Sequence, residues 1–137
     1  KAMSKSEIAP IIATDNDPLA IEASKKNAVT AGVDHLIEFH LCDFADTPLP
    51  EAQGDVVLHG EYGLRLGDDD LIETYGRIGD YLKKKCAGWN GYVFTSGKPL
   101  IAAIGLKVSK RTPFMNAEID CRLLRYELYI GTKDLSA

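Results

Sequence analysis

Short apolar runs alternate with longer stretches of helical periodicity over the first hundred residues of the chain. Four apolar runs of strand length, bounded by polar or glycine-containing turns, lie at residues 11–14, 37–42, 56–58 and 92–95. Runs of this kind predict strands that are buried within a sheet. Helical patterns follow the first and third runs, and residues 99–104 form a short helical segment after the fourth. The alternation of strands and helices predicts a mostly parallel sheet covered by helices.

The boundaries of the first helix are marked by residues with capping preferences. Asp17 followed by Pro18 is typical of an N-cap and a first helical position, where the missing N–H of proline costs nothing. Gly32 predicts the end of this helix, because glycine readily adopts the left-handed conformation found there.

The second helix has the clearest amphipathic pattern. Acidic residues 68–70 open it and Lys83, Lys84 and Lys85 close it, which suits the helix dipole, and Gly88 predicts its end. One apolar face recurs at helical spacing and is formed by Leu71, Tyr75, Ile78 and Leu82.

The last third of the chain has a different pattern. Two long strand-like runs, at residues 108–115 and 119–130, are joined by a connection too short for anything but a hairpin. The predicted fold class is therefore α/β, with a Rossmann-like, mostly parallel sheet and a C-terminal antiparallel β-hairpin.

Composition places the chain among ordinary globular proteins. Its 137 residues fit one domain, 45% of them are hydrophobic, and no apolar run reaches the length needed to cross a bilayer. Three widely spaced cysteines without a CxxC motif indicate a reducing, cytoplasmic setting. The histidines show no metal-ligand spacing, so no metal site is predicted. The net charge of −4 argues against a generally basic nucleic-acid-binding domain and leaves a local basic surface open.

Polar residues follow three successive strands at the point where each strand ends. Asp15 and Asp43 follow the first and second runs, and His59, Gly60 and Glu61 follow the third. Ligands of open α/β sheets bind at the carboxyl ends of the strands. These three strand ends are therefore expected to share one ligand.

Each acidic strand end has two interpretations. A carboxylate at Asp15 can accept both hydroxyls of a ribose, and we favour this role because Asp17 is sufficient as the helix cap. Asp43 could accept a hydrogen bond from an adenine amino group, with Phe44 beside the ring, or it could be a solvated turn residue. The sequence does not decide between these two alternatives for Asp43.

Basic residues are concentrated near the C-terminal hairpin. They are Lys107, Lys110, Arg111, Arg122 and Arg125, set against Glu118 and Asp120. Such an edge could contact phosphates, although a charged hairpin is more often a solvated surface.

Three stretches resemble one family of enzymes. They are ATDNDPLAIEASKKNAVTAGVDHLIEFHLCDF, GLRLGDDDLIETYGRIGDYLKKKCAGWNGYVFTS and IGLKVSKRTPFMNAEIDCRLLRYELY. The chain resembles, over residues 11–129, the methyltransferase domain of the THUMP-associated RNA methyltransferases, which includes bacterial 23S ribosomal RNA guanine-N2 enzymes. The resemblance implies a class I fold that uses S-adenosylmethionine, with RNA as the substrate and partner and ribosomal RNA as the expected kind.

The resemblance also implies roles for individual residues. In such enzymes the acid after the family's second strand holds the cofactor ribose, which corresponds to Asp15, beside Asn16. The acid after the family's third strand contacts the adenine. It corresponds to Asp43, which follows the second apolar run of this chain and lies beside Phe44. Tyr62 corresponds to the aromatic residue that stacks on the flipped target base.

The sequence departs from this family at the third strand end. The family carries Asn-Pro-Pro-Tyr, whose asparagine accepts a hydrogen bond from the target amine, whereas this chain has His59-Gly60-Glu61-Tyr62. Neutral His59 can accept one such bond but lacks the oxygen–nitrogen pair of an amide. Glu61 would add a negative charge that favours a sulfonium cofactor and repels phosphate. Arg65 is expected either to position phosphate or to pair with the acids at 68–70.

A second departure concerns the start of the fold. The family's first strand and glycine-rich loop have no counterpart in residues 1–10, and no THUMP domain is present in the sequence. Without that strand the sheet would have a gap at its centre, with unpaired backbone groups. Residues 1–137 are therefore expected to form a partial methyltransferase domain that an upstream segment or another chain completes.

Two functions of different classes follow. The first is methyl transfer to an exocyclic guanine amine of RNA, with His59 and Tyr62 at the target. The second is a non-catalytic binding or scaffold domain on the same fold, favoured by the altered motif. An unrelated doubly wound nucleotide-binding domain would require the terminal hairpin to be absent.

Overall fold

The computed structural model describes residues 9–59, 69–95, 98–116 and 119–130. The chain divides into two compact units, Lys1–Ala52 and Gln53–Ala137. Within the described residues, the strands are β1 (Ile11–Asp15), β2 (Ile37–Leu41), β3 (Asp55–His59), β4 (Asn90–Thr95), β5 (Lys110–Asn116) and β6 (Ile119–Glu127). The α-helices of the described part are α1 (Pro18–Ala31), α2 (Asp69–Lys85) and α3 (Lys98–Ile104).

The first unit is a β–α–β arrangement. Strands β1 and β2 pair in parallel, with Ile11 opposite Ile37 and Asp15 opposite Leu41. Helix α1 connects them and ends at Gly32, whose φ of 76° is the left-handed conformation predicted for the cap. Short 3-10 helices lie before β2 (Asp34–Leu36) and after it (Phe44–Asp46).

The second unit contains a four-stranded sheet in the order β3-β4-β6-β5. Strands β3 and β4 are parallel, whereas β6 runs antiparallel to both of its neighbours. Strands β5 and β6 form the predicted C-terminal hairpin, with Asn116 opposite Ile119. The unrelated nucleotide-binding alternative depended on the absence of this hairpin and is therefore wrong.

One face of this second sheet carries the buried core. Along β4 the burial alternates, so that Gly91, Val93 and Thr95 are buried while their neighbours are partly exposed. The helical residues Tyr75, Ile78 and Leu82 are at most 2% exposed, which confirms most of the predicted apolar face of α2. The remaining member of that face, Leu71, is half-buried.

Helix α2 packs closely against both α3 and the sheet at glycine positions. A Cβ atom added at Gly79 would collide with the carbonyl oxygen of Ile104, so α2 and α3 approach each other closely. A Cβ atom at Gly91 would lie 3.1 Å from a methyl carbon of Leu82, which packs over β4.

The predicted end of α2 requires a correction. The helix ends at Lys85, three residues before Gly88. Gly88 does have a positive φ of 87°, but its N–H donates to the carbonyl of Leu128 at 2.8 Å. Gly88 therefore belongs to the turn that leads into β4 and docks on the end of β6, and the helix stops earlier.

Strands β1, β2, β3 and β5 each pair on one side only within the described part of the chain. Strand β1 pairs with β2, and β3 pairs with β4, and no other described strand lies beside either of them. The segment expected to complete the sheet stays a prediction.

Candidate functional site

Asp15 lies at the carboxyl end of β1 and is exposed. Its Oδ1 atom accepts a hydrogen bond from the backbone N–H of Asp17 at 2.9 Å. The second carboxylate oxygen has no hydrogen-bond partner among the described residues. Asp15 therefore fixes the turn with one oxygen and keeps the other available to a ligand.

Asp17 is the N-cap of α1. Its side chain accepts a hydrogen bond from the N–H of Leu19 at 2.9 Å, and Pro18 occupies the first helical position. The predicted division of roles is confirmed on the Asp17 side, because Asp15 does not cap the helix. Asn16, between the two acids, is exposed.

Asp43 lies next to Asp15 at the same edge of the first unit. The N–H of Cys42 donates to the carbonyl of Asp15 at 3.0 Å, which fixes the two strand ends side by side. The Asp43 carboxylate accepts the N–H of Ala45 at 2.9 Å and so caps the 3-10 helix that contains the half-buried Phe44. The structure brings Asp15 and Asp43 together, as predicted, and gives Asp43 a local capping role; the adenine contact stays a prediction.

A threonine pair braces the first unit beside this edge. The hydroxyl of Thr14, one residue before Asp15, is 2.8 Å from the hydroxyl of Thr47, which follows the 3-10 helix. Thr47 lies outside the periodic segments of the sequence, and no sequence pattern marks it. The bond links β1 to the segment after Asp43 and so holds the two acidic turns in register.

His59 ends β3 in the second unit and is exposed. Its ring meets the ring of Phe94 edge-on, with centroids 5.2 Å apart and an interplanar angle of 74°. Residues 60–62, which include the proposed catalytic Tyr62, and Arg65 lie outside the described residues. The predicted contact of Tyr62 with a target base therefore stays a prediction.

Phe94 continues a row of aromatic rings across the second sheet. The rings of Phe94 and Phe114 are 5.9 Å apart at 64°, so Phe94 contacts both His59 on β3 and Phe114 on β5. Sequence reasoning missed this row. The alternation of residues along β4 was the available signal, since it places Phe94 on the face opposite the buried Val93.

The groups with shifted pKa values lie away from the strand ends. Burial raises the pKa of Tyr126 to about 12, partly offset by the positive charge of Arg111. Burial also raises the pKa of the Cys86 thiol, against a hydrogen bond from Tyr81. Both residues belong to the core face of the second unit, so these shifts report packing in that unit.

The described residues contain neither a metal-binding cluster nor a membrane-spanning helix. No group of three or more His, Cys, Asp or Glu side chains there could hold a metal ion. No helix in the described part combines the length and hydropathy needed to cross a bilayer.

Sequence comparison identifies relatives of the chain. The sequence profile of the RMKL-like methyltransferase domain matches residues 1–125. A Synechocystis protein, slr0064, with a provisional RNA methyltransferase assignment, is 38% identical over 88% of this chain and 32% of its own length. The ribosomal RNA large subunit methyltransferase K/L of Shewanella frigidimarina is 34% identical over 87% of this chain and 17% of its own length. The chain thus spans about a third or less of these relatives.

Structural comparison shows the fold. SMU.472, provisionally assigned as a methyltransferase and solved with SAH, matches 90% of this chain and 32% of its own, with a TM-score of 0.78 and 21% identity. A Listeria monocytogenes protein, described as a predicted N6-adenine-specific DNA methylase, matches 89% of this chain and 30% of its own, with a TM-score of 0.69 and 31% identity. The predicted fold class is confirmed as that of the class I methyltransferases.

Proposed function

Because the chain belongs to the RMKL-like methyltransferase domain family, we propose that it serves S-adenosylmethionine-dependent methylation of an exocyclic guanine amine in ribosomal RNA. Relatives named as ribosomal RNA methyltransferases support the choice of RNA. The Listeria protein is described by a different acceptor, the N6 amine of adenine in DNA. Both acceptors are amino groups on a purine ring, so a hydrogen-bond acceptor at this strand end could bind either amine. The methylated nucleoside that forms distinguishes the two.

One observation carries the cofactor part of this proposal. Asp15 and Asp43 follow the ends of neighbouring parallel strands, which the N–H of Cys42 joins by donating to the carbonyl of Asp15, and one carboxylate oxygen of Asp15 is unused among the described residues. An acidic residue at such a strand end is suited to accept the hydroxyl groups of a ribose. Asn16 and the half-buried Phe44 flank these acids on either turn.

The bound cofactor supplies a methyl group on a positively charged sulfur. The residues of the chain then have three tasks, of which the first is to hold the ribose at Asp15 and the adenine at Asp43. The second is to hold the target base, which we assign to Tyr62. The third falls to His59, one ring nitrogen of which accepts a hydrogen bond from the amine N–H and so directs the nitrogen lone pair toward the methyl group.

The cofactor role of Asp15 is tested by isothermal titration of the full-length protein with S-adenosylmethionine. We expect Asp15→Asn to weaken binding by about 10–100-fold, since hydrogen bonds to charged groups contribute roughly 1.5–3 kcal/mol. Asp17→Asn is the matched control, because asparagine caps helices as well as aspartate does. Equal affinities for Asp15→Asn and wild type would remove Asp15 from the cofactor site.

The acceptor is tested by methyl transfer to ribosomal RNA that lacks the modification, followed by mass spectrometry of the nucleosides. We expect N2-methylguanosine to form, and we expect Tyr62→Ala to reduce its formation at least tenfold. The appearance of N6-methyladenosine, in RNA or in a DNA control, would contradict the guanine assignment.

The replacement of Asn-Pro-Pro by His59-Gly60-Glu61 favours one second candidate, a non-catalytic binding domain on the same fold. The two candidates predict different effects when His59 is replaced by the asparagine of the family motif. Activity in the wild type, or a large gain on His59→Asn, supports the enzyme. Inactivity of both proteins, with intact cofactor binding, supports the binding domain.

The proposed substrate also indicates where the protein acts. All three cysteines are free, as they are in a reducing compartment. Together with an RNA substrate, this favours the cytoplasm.

A further inference from the structure

A positively charged segment lies at the outer edge of the second sheet. Residues 105–116 include Lys107, Lys110 and Arg111 and no acidic residue, although the whole chain carries a net charge of −4. We call these three residues the basic edge. Strand β5, which carries two of them, pairs with β6 on one side and has no described strand on the other.

The charges of the basic edge are available to a partner. All three side chains are exposed, and none has an ion pair or a hydrogen bond within the described part of the chain. Arg125, on the neighbouring strand, is different. Its guanidinium donates to Asn90 Oδ1 at 3.3 Å and lies 3.8 Å from a carboxylate oxygen of Glu127. Arg125 is therefore partly paired within the sheet, whereas Lys107 and Lys110 have no such partner among the described residues. The charge of Arg111 acts on the Tyr126 hydroxyl without a hydrogen bond to it.

An exposed aromatic ring accompanies these charges. Phe114 is 46% exposed on β5 and shares a face with Lys110, since side chains alternate along a strand. The ring of Phe114 also contacts the ring of Phe94, which in turn contacts His59. Lys110 is thus joined, by adjacent aromatic rings on one face, to the strand end at which the target amine is proposed to lie, and Arg111 lies on the other face of the same edge strand, opposite Leu124.

Protection of a sheet edge against aggregation is the simplest competing explanation for β5. Lysine and proline on an edge strand discourage pairing with other chains, and Pro113 is present. Edge protection does not explain why a large aromatic ring stays exposed beside the charges. Basic side chains combined with an exposed aromatic ring are the arrangement that binds unpaired nucleic acid, through phosphates and base stacking.

We propose that the basic edge and Phe114 bind a single-stranded segment of the substrate RNA next to the target nucleotide. In this arrangement Lys107, Lys110 and Arg111 contact phosphates, and Phe114 stacks on a base. The inference rests on the proposed function, because it takes RNA as the substrate.

The test measures the affinity of the full-length protein for a fluorescently labelled, unpaired RNA oligonucleotide over a range of salt concentrations. The test variant carries Lys107→Gln, Lys110→Gln and Arg111→Gln. We expect its affinity to fall at least tenfold, and its salt dependence to decrease by a slope of about 2, at about 0.7 per lost phosphate contact. Phe114→Leu should weaken binding about tenfold with an unchanged salt slope, because a stacking contact releases no counterion.

The chain offers a matched control of equal charge. Lys83, Lys84 and Lys85 are also exposed, but they end a helix, where their charges complement its dipole. Their triple replacement by Gln should leave RNA affinity within about twofold of the wild type. An equal loss for both triple variants, or no loss for either, would overturn the proposal, as would equally tight binding of duplex DNA.

The same samples separate this inference from the proposed function. S-adenosylmethionine titration and methyl transfer are measured in parallel on each protein. If the test variant methylates normally and its RNA affinity is unchanged, the proposal that the basic edge binds RNA is wrong, and the proposed function is unaffected. Absence of cofactor binding and methylation in the wild type overturns the proposed function, while a loss of RNA affinity confined to the test variant still supports the edge.

Discussion

The two units of the chain hold their strands in different ways. In the first unit Ile21 and Ala28 are the buried hydrophobic residues within the described range, and they are 8% and 6% exposed. The second unit buries many more apolar side chains. They are Tyr75, Ile78, Tyr81, Leu82, Cys86, Val93, Leu100, Ile104, Cys121, Leu124 and Tyr126.

Local hydrogen bonds replace buried area in the first unit. Asp15, Asp17 and Asp43 each accept a backbone N–H in the turn that follows them. A two-stranded sheet encloses little core by itself, so turn geometry contributes more there than in a larger sheet. The comparison teaches that the acids proposed to bind the cofactor also shape the turns that present them. In the second unit, packing and ligand binding are assigned to different side chains.

The largest expected effect is a core truncation in each unit. Leu124→Ala should lower the free energy of unfolding by about 3 kcal/mol, because Leu124 is completely buried. Ile21→Ala, at a site that is 8% exposed, should cost about half as much. Denaturant unfolding and amide hydrogen exchange in β4 and β1 measure the two effects. Equal losses of stability would contradict the contrast between the units. Truncation of Val57, which is 69% exposed, should change stability little and provides the control.

Each unit also contains a pair of hydroxyl groups in contact, which allows a second comparison. The hydroxyls of Tyr75 and Thr95 are 2.6 Å apart and buried, whereas those of Thr14 and Thr47 are 2.8 Å apart and partly exposed. Tyr75→Phe should destabilise the protein by about 1–2 kcal/mol, because it leaves a buried hydroxyl with one fewer partner. Thr47→Ser should cost less, since serine retains the hydroxyl.

Tyr126→Phe is the control for the buried pair. The Tyr126 hydroxyl is buried and has no hydrogen-bond partner among the described residues. Its removal should leave thermal stability unchanged or higher, in contrast to Tyr75→Phe. A similar loss for both variants would show that the hydroxyl contact of Tyr75 is not the cause of its effect.

Removal of a helix cap tests the local hydrogen bonds of the first unit. Asp17→Ala should reduce stability by about 1 kcal/mol through loss of the α1 cap. Asp15→Ala should reduce stability by less, because the N–H bound by Asp15 lies in the preceding turn and not in the first turn of the helix, but it should reduce cofactor affinity by more. Circular dichroism melts and S-adenosylmethionine titration on both variants give the four values. The opposite ranking would assign the ligand role to Asp17.

The smallest expected effect is confined to alkaline pH. The pKa of Tyr126 is about 12 in the folded protein and near 10 when unfolded, so both states are protonated below pH 10. Between pH 10 and 12 the unfolded state releases its proton first, and stability therefore falls as the pH rises through this window. Chemical denaturation at stepped pH checks the decline, which should be smaller in Tyr126→Phe.

Local chemistry made much of the fold predictable. Asp17, Pro18 and Gly32 defined α1 because capping depends on neighbouring residues alone, and the short join near Asn116 required a hairpin. The predicted end of α2 was wrong because the positive φ of Gly88 belongs to a turn. The N–H of that glycine donates to Leu128, which is far away in sequence. The same limit applies at the site, where the edge shared by Asp15 and Asp43 followed from strand direction. The ring contacts of Phe94 and the bond to Thr47 depend on tertiary packing, which the sequence pattern does not encode.

The close approach of α2 and α3 at Gly79 sets how this part of the protein tolerates change. The spacing of these helices is determined by a main-chain oxygen, that of Ile104, which has no alternative rotamer. A single methyl group at position 79 therefore requires a whole helix to move. Neighbouring positions such as Asp80 are exposed and should accept most residues. In a saturation library of this helix, selection for folded protein should return glycine at position 79 and wide variety one residue later.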